Sequence, residues 1–190
     1  MVYRHSLMGV SRKDISRYAA QYLVGRHQQE SAACRASSKE AVMPNVRYSR
    51  IIAAPATRVW EVVGDFGSLP SWFPFVITSE LEPAGGRRVV GALRTNHIDD
   101  GTTVVERLVA LSDRDRRVTY DVIGGDAPVR NYTATIAVHE IADEDSSFVT
   151  WEASFDAIGE AEPIIDWVRN GIFRDCLEEL DRVLRVAAPA

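Results

Sequence analysis

After residue 44 the chain reads as alternating apolar and polar positions, and the period of that alternation changes only a few times. Asn45 to Ala53 is rich in β-formers, and Ala54-Pro55 then opens a helix whose Val59, Trp60, Val62 and Val63 make one apolar face, ended by Gly64 and Gly67. Leu69-Pro70-Ser71-Trp72-Phe73-Pro74-Phe75 is too short and proline-interrupted for a regular helix. Its aromatic density predicts a lid or second short helix facing something apolar. From Val76 onward strand-like runs are expected at 76–83, 87–95, 102–111, 116–123, 129–141 and 147–157, separated by short Gly, Pro and Asp turns that imply antiparallel neighbours. Val118, Tyr120 and Val122 share a face, as do Tyr132, Ala134, Ile136 and Val138, and Val149, Trp151, Ala153 and Phe155. The C-terminal stretch is a long amphipathic helix. Its stripe is Ile165, Val168, Ile172, Cys176 and Val183, widened by Phe173, Leu177, Leu180 and Leu184, with Gly171 marking close packing or room for a cavity. Together these elements predict an α+β domain over 44–187: a helix-grip fold in which a curved seven-stranded antiparallel sheet wraps around the long helix, with two short helices after strand 1, and encloses a hydrophobic cavity.

Composition narrows this picture. With 190 residues and 46% hydrophobic positions, the chain suits one soluble domain plus an appendage, and no apolar run approaches the roughly 20 residues needed to cross a bilayer. Cys34 and Cys176 are too few and too separated for a disulfide framework or a zinc site, so a reducing cytoplasm is the expected setting. Residues 1–43 carry seven basic and three acidic side chains, whereas the remainder carries 15 basic and 24 acidic, a net of −9. An acidic body argues against a nucleic-acid partner and for a small, neutral one. In the basic segment, Ile15, Tyr18, Ala19, Tyr22 and Leu23 predict a helix over 12–24, followed by a linker. A docking helix, a targeting segment and residues upstream of a true start at Met43 all fit this segment, and the last is the reading expected here. No glycine-rich phosphate loop, His pair at ligand spacing, Gly-x-Ser-x-Gly elbow or paired-cysteine motif occurs, so neither a cofactor nor a metal is expected.

Local motifs sharpen the fold expectation. Val105-Glu106-Arg107-Leu108, Tyr120, Gly124-Gly125 and Arg130-Asn131-Tyr132 resemble segments of plant abscisic acid receptors, while Trp72-Phe73-Pro74, Arg94, Glu106, Tyr120 and Tyr132 resemble pocket positions of lachrymatory factor synthases. The stretch from Asn45 to Val186 thus resembles the SRPBCC or START-like superfamily, whose bacterial members with these features usually carry the label polyketide cyclase/dehydrase. The receptors' gate loop is replaced by Asn96-His97-Ile98-Asp99-Asp100-Gly101 and their latch by Ala127-Pro128-Val129. Their carboxylate-binding Lys has no counterpart, since residues 66–81 contain none. These departures argue against a hormone receptor.

Glu106 lies in phase with Val104, Leu108 and Ala110, so its carboxylate is expected on the apolar side of the sheet, where a charge is costly. If Arg94 pairs with it, Glu106 can act as a general acid/base, Arg94 can stabilise developing negative charge, and Tyr120 and Tyr132 can orient a substrate oxygen, roles that the resemblance to the synthases also implies. Equally, the pair can be an ion pair that keeps the wall polar. Trp72, Phe73, Trp151, Val104, Leu108, Ile136 and Phe173 are the expected ligand contacts, and His97 is a candidate base at the pocket mouth. The chemistry leaves two readings open. One is a carrier of a small hydrophobic molecule bearing a polar oxygen; the other is a cofactor-independent cyclase, dehydratase or isomerase.

Overall fold

The computed structural model describes residues 44–186; the helix expected over 12–24 and its linker lie outside them. Strand β1 (Asn45–Ile52) leads to helix α1 (Ala56–Val63) and a single 3-10 turn at Leu69–Ser71. Six strands follow: β2 (Val76–Glu82), β3 (Leu93–Ile98), β4 (Thr103–Ser112), β5 (Arg117–Gly125), β6 (Val129–Glu140) and β7 (Ser147–Ala157). Helix α2 (Ala161–Asp166) then continues through a π-helical segment (Trp167–Arg174) into α3 (Asp175–Val186). The strands form one antiparallel sheet in the order β1-β7-β6-β5-β4-β3-β2, with the long helix packed on it as the helix-grip pattern requires. None of the helices described is long and apolar enough to cross a membrane.

Strand alternation carries the core. Val118 and Tyr120 on β5, Tyr132, Ala134, Ile136 and Val138 on β6, and Val149, Trp151, Ala153 and Phe155 on β7 are all buried. Helix α1 buries Ala56, Val59, Trp60 and Val63 and ends at Gly64, where a Cβ would lie 2.8 Å from both the ring and the carbonyl oxygen of Trp60. The Gly124-Gly125 step closes β5 tightly on β4. Gly125 has φ +98°, and a Cβ there would collide with the Thr103 backbone.

Three local expectations are corrected. The run expected at 87–95 is a series of turns up to Ala92, because Arg87 and Arg88 reach out to Asp65 and Asp113 and Gly91 takes φ +91°; the strand starts at Leu93 and extends through Asn96 and His97. Residues 96–98 therefore belong to the sheet and not to a gate-like loop. Ala110 is exposed, because the β4–β5 register shifts between Leu108 and Ala110 and turns Leu111 against the core. On the long helix the buried stripe is Ile164, Val168, Phe173, Cys176, Leu177, Leu180 and Leu184, with Ile165, Ile172 and Val183 only half-buried. The π segment accounts for that shift. Its extra residue per turn separates Val168 from Phe173 by five positions, which brings the phenyl ring and not Ile172 onto the sheet.

The interior is closed. Phe173 stacks on Trp151 with ring centroids 4.4 Å apart, Trp72 and Phe73 pack on the same indole at 5.9 and 5.8 Å, and Tyr132 stacks on Phe155 at 5.7 Å. Where curvature alone predicts a hydrophobic cavity, the space left beside Arg94 and Tyr120 is a void of about 10 Å³, the room of one water molecule.

Candidate functional site

Sheet register places the two charged candidates opposite each other. Arg94 on β3 pairs with Glu106 on β4, Asn96 lies two residues further along the same strand face, and all three side chains are buried. Arg94 Nε donates to Glu106 Oε2 at 2.6 Å, and Asn96 Nδ2 donates to the same oxygen at 2.6 Å. Asn96 is itself held by Ser79 on β2, whose hydroxyl donates to Asn96 Oδ1 at 2.6 Å. Arg94 Nη1 donates to the Phe66 carbonyl oxygen at 2.8 Å, and its guanidinium lies over the Phe66 ring at 4.0 Å and the Tyr120 ring at 5.1 Å. The cation is thus fixed from four sides. Among the described residues, Arg94 Nη2 and Glu106 Oε1 take part in no hydrogen bond.

The tyrosines border this pair. The Trp151 indole N–H donates to the Tyr120 hydroxyl at 3.2 Å, and the Tyr120 and Tyr132 rings lie 6.4 Å apart. Burial, followed by the neighbouring Tyr132 and the Glu106 carboxylate, pushes the Tyr120 phenol well above its ordinary range. Burial and then Glu106 do the same to Tyr132. Both hydroxyls therefore stay protonated, and that of Tyr120 is engaged with Tyr132 as well as with Trp151. The void is walled by Val63, Asp65, Phe66, Ser68, Leu69, Trp72, Arg94, Val118, Tyr120, Ile136 and Trp151, which makes Arg94 and Tyr120 its polar end.

Of the residues expected at the site, Arg94, Tyr120, Trp72, Trp151 and Ile136 meet at the void. Glu106 joins through Arg94, while Tyr132, Phe73, Leu108 and Phe173 belong to the core packed around it. Val104 is half-buried and lies outside that core cluster, since the β4–β5 ladder slips between Val105 and Glu106. His97 alternates to the opposite side of β3 from Arg94, with Nε2 3.6 Å from Glu80. Sequence reasoning did not single out Asn96, Ser79 or the Phe66 carbonyl. Parity with Arg94 could have flagged Asn96, once residue 96 was placed in a strand.

This geometry is a polar end, with the Arg94 guanidinium, the Glu106 carboxylate and the Asn96 amide, set into an aromatic interior. Residues 43–185 match a family described as polyketide cyclase / dehydrase and lipid transport. The chain belongs to that family. It is similar to abscisic acid receptor PYL7 of Arabidopsis thaliana, at 31% identity over 124 residues, 63% of this chain and 55% of the receptor. The chain spans about half the length of the curated relatives it matches. Among solved structures, the XoxI protein of Bacillus cereus aligns with a TM-score of 0.68 at 31% identity, covering 77% of this chain and all of XoxI. Norcoclaurine synthase of Thalictrum flavum, solved in complex with dopamine and hydroxybenzaldehyde, aligns at 0.62 and 17% identity over 84% of this chain and all of its own. At that identity the likeness to the synthase concerns the fold alone. As a polyketide cyclase / dehydrase and lipid transport family member, the chain has a fold suited to either binding or turnover of a small molecule.

Proposed function

We propose that this protein binds a small, mostly hydrophobic molecule that places a polar oxygen against Arg94 and Tyr120. The observation that carries the reading is the buried network of Arg94, Glu106 and Asn96 on an otherwise apolar sheet face. Burying an ion pair costs desolvation at both partners, and well-packed apolar residues commonly serve stability as well or better, so stability alone does not account for the network. Unused hydrogen-bonding capacity at Arg94 Nη2 supports the same reading. Binding requires the aromatic filling to yield. Trp72 and Phe73, on the irregular segment after the 3-10 turn, are the side chains placed to swing aside, because Trp151, against which they pack, and Phe173, stacked on it, stand on β7 and the long helix.

A second reading is favoured by the family description, which names cyclase and dehydrase activity. In it Glu106 moves a proton through Oε1 while Arg94 and the tyrosine hydroxyls stabilise an enolate-like or oxyanion intermediate. Native mass spectrometry of freshly purified protein, followed by denaturing extraction, tests the first reading. The expected result is a defined bound molecule whose occupancy falls in Tyr132→Phe. The absence of both a co-purified molecule and thermal stabilisation by any member of a library of small carbonyl compounds would defeat it. Turnover of the recovered molecule that is abolished in Glu106→Gln, with affinity retained, would establish the second reading.

A further inference from the structure

We propose that the interior site accepts uncharged oxygen-bearing ligands, such as ketones, aldehydes, esters or alcohols, and rejects carboxylates, with Glu106 as the residue that sets this preference. The inference rests on the ligand-binding reading above and names its ligand class. It follows from how the charges are used. The buried sheet face carries one cation and one anion at this site, and they are bonded to each other at 2.6 Å. Arg94 is further committed to the Phe66 carbonyl and lies over two aromatic rings, so it cannot turn to a new anion without abandoning those contacts. Apart from Asp65, the remaining polar groups are neutral: the Ser68 hydroxyl, the Asn96 amide, the Trp151 indole and two phenols that burial keeps protonated.

A ligand carboxylate entering this site would be a second anion beside Glu106, against a guanidinium already neutralised. It would lose its water shell and gain no unpaired cation. Asp65, which also walls the void, adds to the repulsion, although its own partner is Arg87. Residues 44–186 contain no lysine whose flexible ammonium could compensate. The charge of −9 on the rest of the chain works in the same direction at long range. A neutral oxygen meets none of these costs and can accept from Arg94 Nη2.

The test uses three probes with one aromatic body: 2-acetonaphthone, methyl 2-naphthoate and 2-naphthoate, of which only the last is ionised at neutral pH. Each is titrated into the full chain, wild type and Glu106→Gln, by calorimetry. Wild type should bind the ketone and the ester at least about tenfold more tightly than the acid. Glu106→Gln, which leaves Arg94 unneutralised, should strengthen 2-naphthoate binding by about 10- to 100-fold, the range expected for a charged hydrogen bond, and move the ketone by less than about threefold. Wild-type binding of the acid equal to or tighter than that of the ketone and ester would overturn the inference while leaving the binding reading intact. So would a carboxylic acid recovered from the purified protein. Absence of binding by all three probes, together with no recovered molecule, would remove the binding reading itself. Should Glu106→Gln fail to fold, the wild-type order of ketone, ester and acid decides alone.

Discussion

Two carboxylates are almost equally buried in this protein and are paired in opposite ways. Glu106 is 7% exposed and Asp181 6%. Asp181, on α3, accepts a hydrogen bond from the Ala53 backbone N–H at 2.9 Å and one from Arg185 at 3.1 Å, with Arg50 3.8 Å away. Its cations keep contact with water, since the Arg185 side chain is 60% exposed. The cluster ties the end of the long helix to the residue after β1 at little desolvation cost on the cationic side. Glu106 has no such economy, because the side chain of its partner Arg94 is only 6% exposed. An ion pair whose cations reach the surface fastens the fold at little desolvation cost, whereas one with both partners buried costs desolvation at each and lowers the stability the same space could provide.

The contrast can be broken most strongly at Arg94. Arg94→Ala strands Glu106 as an unpaired buried charge and should cost about 3–5 kcal/mol in urea unfolding. A loss under about 1 kcal/mol would mean that water already reaches the pair and that the interior is not dry. Asp181→Asn removes one charged acceptor but keeps an oxygen for Ala53, so the expected loss is smaller, roughly 1–3 kcal/mol.

The pH dependence of that loss separates the two sites further. Burial alone would raise the Asp181 carboxyl, but Arg185, the Ala53 N–H and Arg50 outweigh it and hold the group below its ordinary value. A depressed carboxylate contributes its stability above the unfolded value, about 3.9, and loses it as pH falls through the lower folded value. The difference in urea midpoint between wild type and Asp181→Asn should therefore be constant near neutrality and shrink below about pH 4. A difference that grows on acidification would contradict the assignment. The smallest effect on stability is expected from Arg94→Met combined with Glu106→Leu and Asn96→Leu, which replaces both buried charges and the amide bonded to Glu106 by apolar groups. That protein should unfold within about 1 kcal/mol of wild type, or be more stable, and should lose affinity for the oxygen-bearing probes. Loss of several kcal/mol would recast the interior pair as a structural element like Asp181.

Part of this site was legible in the sequence. The parity of Glu106 with Leu108, and of Tyr120 with Val118, needs only the period of two along each strand, and both pairs do face inward. Antiparallel neighbours followed from connections too short for anything else. Asn96 escaped notice because the residues around it carry few β-formers, and their strand character comes from ladder partners on β2 and β4. Asp181 escaped for a related reason. On a helical wheel it borders the buried stripe, and only the arrival of β1 with Arg50 and the Ala53 N–H makes its burial affordable.

By itself the sequence determined the order and type of the elements, the inner face of each uninterrupted strand and the residue types able to do chemistry. These are consequences of local periodicity, which needs no knowledge of what lies opposite. Only the tertiary structure decided where the β4–β5 ladder slips, which turned Ala110 out and Leu111 in, and where the long helix widens to carry Phe173 onto Trp151. It also decided that Arg94 is held by Glu106 and the Phe66 carbonyl and that the space beside Arg94 and Tyr120 is only about 10 Å³. Such features are set by the fit between facing surfaces, where the displacement of a single residue changes which side chain fills the space.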